Sequence, residues 1–343
     1  MSDTLQRFEN LRKAHTDAVL SLIDDALAAS ELSDSSLARM LHYHLQTGGK
    51  RLRAILPLMV AEALGTPPQD LIPFGAACEL IHNATLIHDD LQDGDELRRG
   101  QPAVWKEFGP PRAINLGDAC LYLAPLFLDR LEVSDGLRWQ VARRIFLDIL
   151  QVIDGQEREF DLQNDDDTDR AAYARMVEGK TSGLFALPIA GAAELCGAPP
   201  AVVSALQEAS RSLGVIFQIQ DDILDLYGEK GREAPGGDIA EGKRSALVVA
   251  FFDLATDDDA DRLRHILDSP RADTTDDMIR WAIDALRDQG ALAAAFQEID
   301  AHTARIASLD ALTDYPDLRD LVLGFVDLFL RPIQSLRPQE ASP

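Results

Sequence analysis

The sequence predicts an all-α protein, and three observations carry that prediction. Leu and Ala dominate an apolar fraction of 46%, and both are good helix formers. Apolar residues recur at helical spacing almost from end to end, with no strand-like alternation of useful length. The breaks between periodic segments are Gly, Pro and polar clusters.

Taken in order, amphipathic helices are expected at 5–29, 34–46, 50–64, 71–93, 112–132, 136–162, 171–178, 182–195, 200–226 and 243–256. Further helices are expected at 258–267, 274–288, 290–308 and 316–335. Gly48-Gly49 separates the second and third helices, and Gly65-Thr66-Pro67-Pro68 ends the third. Gly94 and Gly100 bracket an Arg-Arg turn. Asn164 to Asp169 reads as a polar loop, Gly197-Ala198-Pro199-Pro200 as a break, and Gly228 to Gly242 as a long Gly-rich loop of the kind that is usually functional or mobile. No linker or repeat divides the chain. Residues 1–343 are expected to form one helical domain, with helices 1–46 and the tail 337–343 peripheral.

The chain has 343 residues and a formal net charge of −25. So acidic a protein is a poor general binder of nucleic acid or anionic membrane, which are polyanions. Local basic groups and cations can still receive an anionic substrate. Cys78, Cys120 and Cys196 are far apart, lack metal spacing and read as small buried hydrophobes of a reduced cytosol. The N-terminus has no apolar signal region, and the longest apolar stretches are too short to span a bilayer. A soluble cytoplasmic protein is expected.

Two segments share one unusual pattern. His88-Asp89-Asp90-Leu91-Gln92-Asp93 and Gln220-Asp221-Asp222-Ile223-Leu224-Asp225 each place D-D-x-x-D at the end of an apolar helix. Residues i and i+4 share a helix face, so Asp89 projects with Asp93 and Asp221 with Asp225. Carboxylates gathered beside an apolar core are costly unless a cation neutralises them. Hard oxygen ligands suit Mg²⁺, which takes one or two carboxylates from an element and fills its shell with water and phosphate oxygen. Asp257-Asp258-Asp259 and Asp165-Asp166-Asp167 have no apolar lead-in and read as solvated acidic runs.

Basic groups flank these clusters. Arg98 and Arg99 follow the first on a turn, with fork-shaped donors suited to phosphate. Gly48-Gly49 enters a helix carrying Lys50 and Arg53, a combination that makes an anion pocket. No Walker motif is present. His82 lies seven residues before Asp89 on the same face, about 10 Å along the axis, and is placed for a second anion. Lys180-Thr181 opens another apolar helix, Gln218 lies one turn before Asp221, and Lys243 follows the Gly-rich loop. Together they suit a substrate with a diphosphate head and a hydrocarbon body.

The motifs Gly-Gly-Lys-Arg-x-Arg, His-Asp-Asp-x-x-Asp, Arg-Arg-Gly, Lys-Thr, Gln-x-x-Asp-Asp-x-x-Asp and Gly-Asp-x-x-x-Gly-Lys, in that order over residues 45–245, resemble those of the trans-isoprenyl diphosphate synthases, which include farnesyl and geranylgeranyl diphosphate synthases. The resemblance implies an isoprenoid-synthase helical bundle around a deep central cavity, usually in a homodimer. It implies that Asp89, Asp90, Asp93, Asp221 and Asp225 hold three Mg²⁺ ions on an allylic diphosphate, with Arg98, Lys180, Gln218 and Lys243 facing that substrate. It implies that Lys50, Arg53, His82 and Arg99 bind isopentenyl diphosphate. The chemistry implied is ionisation of the allylic C–O bond, attack by the isopentenyl double bond and loss of a proton. The Thr181 and Gln218 dipoles are placed to stabilise the cation.

The chain departs from the family pattern in places. Ala54 stands where proline is usual. Glu159 stands where aspartate is common, as an outer metal partner. Ala234 stands where lysine is frequent, so Lys230 or Arg232 would have to substitute. Thr85 and Ala84, just before Asp89, are small and suggest room beyond a C15 product, with Phe74 as a floor. Geranylgeranyl diphosphate is the expected product, with farnesyl or longer chains as alternatives. A class I terpene cyclase would not need Lys50, Arg53, His82 and Arg99. A non-catalytic partner subunit would be expected to lack one aspartate cluster.

Overall fold

The computed structural model describes residues 3–163, 169–228 and 235–338. Sixteen α-helices run in chain order among these residues. The first eight are α1 (Asp3–Ala29), α2 (Ser36–Gln46), α3 (Leu52–Ala63), α4 (Ile72–Gln92), α5 (Val104–Phe108), α6 (Pro110–Leu123), α7 (Asp135–Gln163) and α8 (Arg170–Val177). They are followed by α9 (Gly183–Leu195), α10 (Pro200–Tyr227), α11 (Gly237–Ala240), α12 (Ala246–Leu254), α13 (Asp257–Leu267), α14 (Asp276–Asp288), α15 (Ala291–Ala307) and α16 (Pro316–Leu330). The predicted helices fall close to these bounds.

The differences have local causes. Residues 112–132 do not form one helix, because Pro125 lacks the N–H that would continue it; α6 ends at Leu123 and a 3₁₀ stretch runs over Ala124–Arg130. The final helix likewise changes to 3₁₀ at Arg331–Leu336, which contains Pro332. A two-residue hairpin, β1 (Leu97–Arg98) against β2 (Gln101–Pro102), stands where only a turn was expected. Its central residues Arg99 and Gly100 both have positive φ, 53° and 78°, as the tight hairpin turn of matching twist requires. A π-turn, Glu178–Ser182, joins α8 to α9 where a break was expected. The Gly-rich loop contains the one-turn α11. Lys230, Arg232, Ala234 and Asp165-Asp166-Asp167 lie outside the described residues.

Helix starts follow short polar side chains. Ser35, Asp169, Ser245, Thr256 and Thr275 each accept a hydrogen bond from a first-turn backbone N–H. Asp257-Asp258-Asp259 forms the first turn of α13, where the helix dipole favours carboxylates.

The chain divides into two compact units, each discontinuous in sequence. The first comprises Met1–Ile149, Leu184–Gln207 and Ala311–Leu321. Here α4 packs against α1, α3, α5 and α6. Phe74, Leu80 and Ile87 of α4 are fully buried, as are Ile55, Leu56 and Leu58 of α3. The second comprises Leu150–Gly183, Glu208–Asp310 and Val322–Pro343. Its core gathers around α12, which packs against α8, α14 and α15. Cys78, Cys120 and Cys196 are free. Cys78 and Cys120 are buried as expected, but Cys196 is only half-buried. No helix among the described residues is long and apolar enough to cross a membrane.

Candidate active site

The first aspartate motif closes α4. Neighbouring residues on an α-helix point about 100° apart, so two adjacent aspartates cannot share one surroundings. Asp89 and Asp93 are partly exposed, whereas Asp90 is turned inward and 1% exposed. Arg98 of β1 reaches back to it, with Nε donating to Oδ1 at 2.8 Å and Nη2 donating to the same oxygen. Burial pushes the Asp90 carboxyl up, against the opposing pull of Arg98. Its Oδ2 is buried and accepts no hydrogen bond from the described residues. That lone pair, with the outward carboxylates of Asp89 and Asp93, is a donor set suited to a divalent cation.

A basic site lies in the same unit. Gly48 and Gly49 have φ of 95° and 120°, conformations that glycine adopts readily. A Cβ on Gly49 would stand 2.6 Å from Arg99 Nη1, so the bare backbone makes room for that guanidinium. Arg99 Nη1 donates to Gly48 O. Arg51 adopts φ 55° just before α3 and turns its guanidinium inward. It donates to Glu79 Oε1 at 3.1 Å and to Leu45 O. Glu79 Oε2 accepts from Ala54 N at 3.2 Å, and Asn83 Nδ2 donates to Oε1 at 3.2 Å. Ala54 therefore matters: a proline there has no N–H to give Glu79.

Arg53, 5% exposed, lies with its guanidinium carbon 3.9 Å from the Phe185 ring centroid. Burial pulls its pKa down to about 10, so it remains a cation at neutral pH. Burial, then Arg53, Arg99 and Arg98, hold His82 well below the usual histidine range. Its Nδ1 is buried without a partner among the described residues. His44 is held down to about 4 by burial and by Arg98, Arg99 and Arg51, and its Nε2 is likewise unpartnered. Both rings are neutral and keep a nitrogen for a ligand. Lys50 is exposed.

The second unit holds the other predicted residues. Asp221 is partly exposed, and Asp222 is turned inward and 3% exposed, repeating the division seen at Asp89 and Asp90. Asp222 accepts from Gln218 Nε2 at 2.9 Å, from Tyr173 Oη at 3.0 Å and from Ala246 N at 2.8 Å. Gln218 Oε1 in turn accepts from Thr181 Oγ1 at 2.9 Å. The chain Thr181–Gln218–Asp222 fixes which way the Gln218 amide points. Asp225 accepts from Asp238 N at 3.0 Å through Oδ2. Lys180 pairs with Glu159, so the residue read as an outer metal partner instead contacts a predicted substrate contact. Lys243 pairs with Glu241 at 2.9 Å and approaches Asp238 at 3.9 Å.

Sequence reasoning missed Glu79, Asn83, His44, Tyr173 and the inward roles of Asp90 and Asp222. Glu79 carried a signal, being a lone charge inside the apolar run Ala76 to Leu80. Nothing marked His44 or Tyr173. Among the described residues, no three His, Cys, Asp or Glu side chains converge to hold a metal by themselves.

Carboxylates gathered at two helix ends, Asp225 among them only 3% exposed, with guanidinium groups and neutral histidines set near one end, are the equipment of an enzyme that handles phosphorylated substrates. Comparison with known proteins narrows this class. The polyprenyl synthetase family profile matches residues 34–286. The chain is 35% identical to a short chain isoprenyl diphosphate synthase of Methanothermobacter thermautotrophicus, over 70% of this chain and 74% of that one. It is 34% identical to a geranylgeranyl diphosphate synthase of Methanosarcina mazei, over 71% and 74% respectively. It superposes with a TM-score of 0.83 at 25% identity on a Caulobacter crescentus polyprenyl synthase solved with calcium and isoprenyl diphosphate, covering 95% of this chain and 97% of that one. The chain belongs to the polyprenyl synthetase family and is a prenyltransferase with the isoprenoid-synthase helical fold.

Proposed function

We propose that this enzyme condenses isopentenyl diphosphate with an allylic diphosphate and releases geranylgeranyl diphosphate. The observation that carries chain elongation is the basic site of Arg53, His82, Arg99 and Lys50 in the unit that bears Asp89 and Asp93. A cyclase has no use for a second diphosphate site. Neutral His82 gives that anion a hydrogen bond without a titratable charge, while Arg53 and Arg99 supply the positive field. Arg98, held by Asp90, Lys180 and Lys243 face the allylic diphosphate. Thr181 and Gln218 present oriented dipoles to the allylic cation.

Asp89, Asp93, Asp221 and Asp225 would hold magnesium, three ions by family resemblance, with Asp90 Oδ2 close to the first set. Bound magnesium neutralises charge on the departing diphosphate. No protein nucleophile takes part, and the proton lost after attack goes to the released diphosphate.

Product length is read from α4. Thr85, Cys78 and Phe74 share one face with Asp89, and Phe74 lies ~22 Å from it along the axis at 1.5 Å per residue. Phe74 is fully buried, and a Cβ on Gly191 of α9 would stand 2.6 Å from its Cζ. That contact supports Phe74 as a floor with room beyond a C15 chain.

Exposed apolar side chains support a homodimer. Tyr122 is 80% exposed and Trp139 65%, with Ile114, Leu126, Phe146 and Leu147 also uncovered, large apolar side chains that a second copy would shield from water. The free cysteines fit a cytoplasmic location.

The decisive experiment incubates the protein with Mg²⁺, an allylic diphosphate and labelled isopentenyl diphosphate, with products resolved by chain length. Label in geranylgeranyl diphosphate is the expected result. Label that never enters a longer diphosphate overturns the elongation reading.

A further inference from the structure

The second unit contains a cavity of about 350 Å³ that the reaction above does not use. Residues of α7, α8, α10 and α15 and of the π-turn line it. Every lining side chain is polar or charged, so the cavity suits a hydrophilic molecule and not a hydrocarbon tail.

In a chain of net charge −25, four arginines meet here: Arg158, Arg175, Arg211 and Arg305. Two are engaged. Arg158 pairs with Asp154 at 2.7 Å and Arg305 with Glu208 at 2.8 Å. Both pairs are exposed, and such pairs hold weakly. The side chains of Arg175 and Arg211 have no ion-pair or hydrogen-bond partner among the described residues. On the floor, the buried Ser212 hydroxyl meets His302 Nδ1 at 3.2 Å. Two unengaged guanidinium forks over a hydroxyl are arranged to receive phosphate oxygens.

The cavity is coupled to the chemistry by the chain itself. Glu178 and Gly179 line it, and they are the first two residues of the π-turn whose next two are Lys180 and Thr181. Ser182, the last residue of the turn, donates through Oγ to Arg211 O at 3.1 Å. The turn has little slack. A Cβ on Gly179 would stand 2.8 Å from Gly155 Cα, and one on Gly155 would stand 2.1 Å from Lys180 N. Arg211 and Glu178 are thus joined to Lys180 and Thr181 by one hydrogen bond and one turn of backbone.

We propose that this cavity is a regulatory site for a small hydrophilic phosphate anion, held by Arg175 and Arg211, whose occupancy resets the Lys180–Thr181 turn. Glu178 selects against weakly charged ligands, since an entering anion must outweigh its carboxylate. The regulatory half rests on the role given above to Lys180 and Thr181; the binding half does not.

The test uses the full-length protein in EDTA, titrated calorimetrically with orthophosphate and, separately, with inorganic diphosphate. Three proteins are compared: wild type, Arg175→Gln/Arg211→Gln and Arg99→Gln. The doubly substituted protein should bind the better of the two anions at least about tenfold more weakly, while Arg99→Gln keeps this site. The two titrations show whether one phosphate or two is preferred. Because both arginines are exposed, their replacement should leave the thermal midpoint in place; Arg211→Glu is a second variant expected to abolish binding. Unchanged binding in these variants, or loss only in Arg99→Gln, overturns the site. In elongation assays, the same anion should change the KM for the allylic substrate in wild type and not in Arg175→Gln/Arg211→Gln. An identical response in both proteins, or none in either, overturns the regulation. The calorimetric arm needs no turnover, so failure of the elongation reading would not be mistaken for failure of the site.

Discussion

Glu79 offers the most demanding test of how the basic site is held. It is 2% exposed and accepts from Arg51, Ala54 and Asn83. The Arg51 side chain is itself only 8% exposed. Glu79→Leu would leave a buried guanidinium without its counter-charge, at a cost of about 3–5 kcal/mol. It would also leave the Ala54 N–H unsatisfied. Arg51→Leu strands the carboxylate instead, at a comparable cost. When both partners become apolar, no buried charge remains, and such replacements are often close to neutral. The double variant should therefore cost no more than the worse single, with a coupling energy of about 2 kcal/mol or more. Denaturant unfolding of the four proteins, with midpoints and slopes compared, measures this. The KM for isopentenyl diphosphate should rise in both singles, because the Gly48–Gly49 loop that seats Arg99 leads directly into Arg51. Single costs that add to within about 0.5 kcal/mol of the double would refute the coupling.

Four further outcomes are expected. Gly49→Ala places a methyl against Arg99 in a backbone conformation alanine avoids, with strain of about 1–3 kcal/mol; the KM for isopentenyl diphosphate should rise by roughly tenfold. Ala54→Pro removes a hydrogen bond to Glu79 and should lower stability by about 1 kcal/mol in denaturant unfolding, although proline is otherwise tolerated in a first helical turn. Phe74→Ala should lengthen the product, read by chromatography of the dephosphorylated alcohols; an unchanged distribution removes Phe74 as the floor. Asp148 carries a carboxyl pushed up to about 6 by burial, with Oδ2 buried and unpartnered among the described residues. Its folded value exceeds the unfolded value of 3.8, so the native state holds the proton more tightly and stability falls as pH rises through that window. Asp148→Asn should accordingly stabilise the protein at pH 7.5 by roughly 1–2 kcal/mol and have little effect near pH 3.5.

Much of this protein was legible before its structure, and the limits have physical causes. Long helices such as α4 and α10 announce themselves because one buried face repeats many times. The hairpin Leu97–Pro102 has strands of two residues, too short for any alternation to show. The π-turn left only a gap, residues 179–181, between two expected helices, since a wider hydrogen-bonded loop breaks the 3.6-residue rhythm without a marker residue. At the site, the residue types and spacing disclosed the two carboxylate motifs and the basic set. They could not rank Asp89 against Asp90 or Asp221 against Asp222. That ranking depends on which side of the helix meets the core, and in both motifs the second aspartate turns inward. Supporting residues were harder still. Glu79 and Tyr173 act through contacts 25 to 49 residues away in sequence, which no local pattern encodes.

The π-turn carries a consequence for angular phase. An α-helix advances 100° per residue, and a π-turn accommodates one extra residue within a helix that otherwise continues. Deleting Gly179 would remove that extra residue but bring a side chain to the point where bare Gly179 now packs, 2.8 Å from Gly155 Cα for a Cβ. The wider turn that now brings Thr181 Oγ1 within 2.9 Å of Gln218 Oε1 would close to the regular helical step. The irregularity sets the azimuth at which Lys180 and Thr181 are presented.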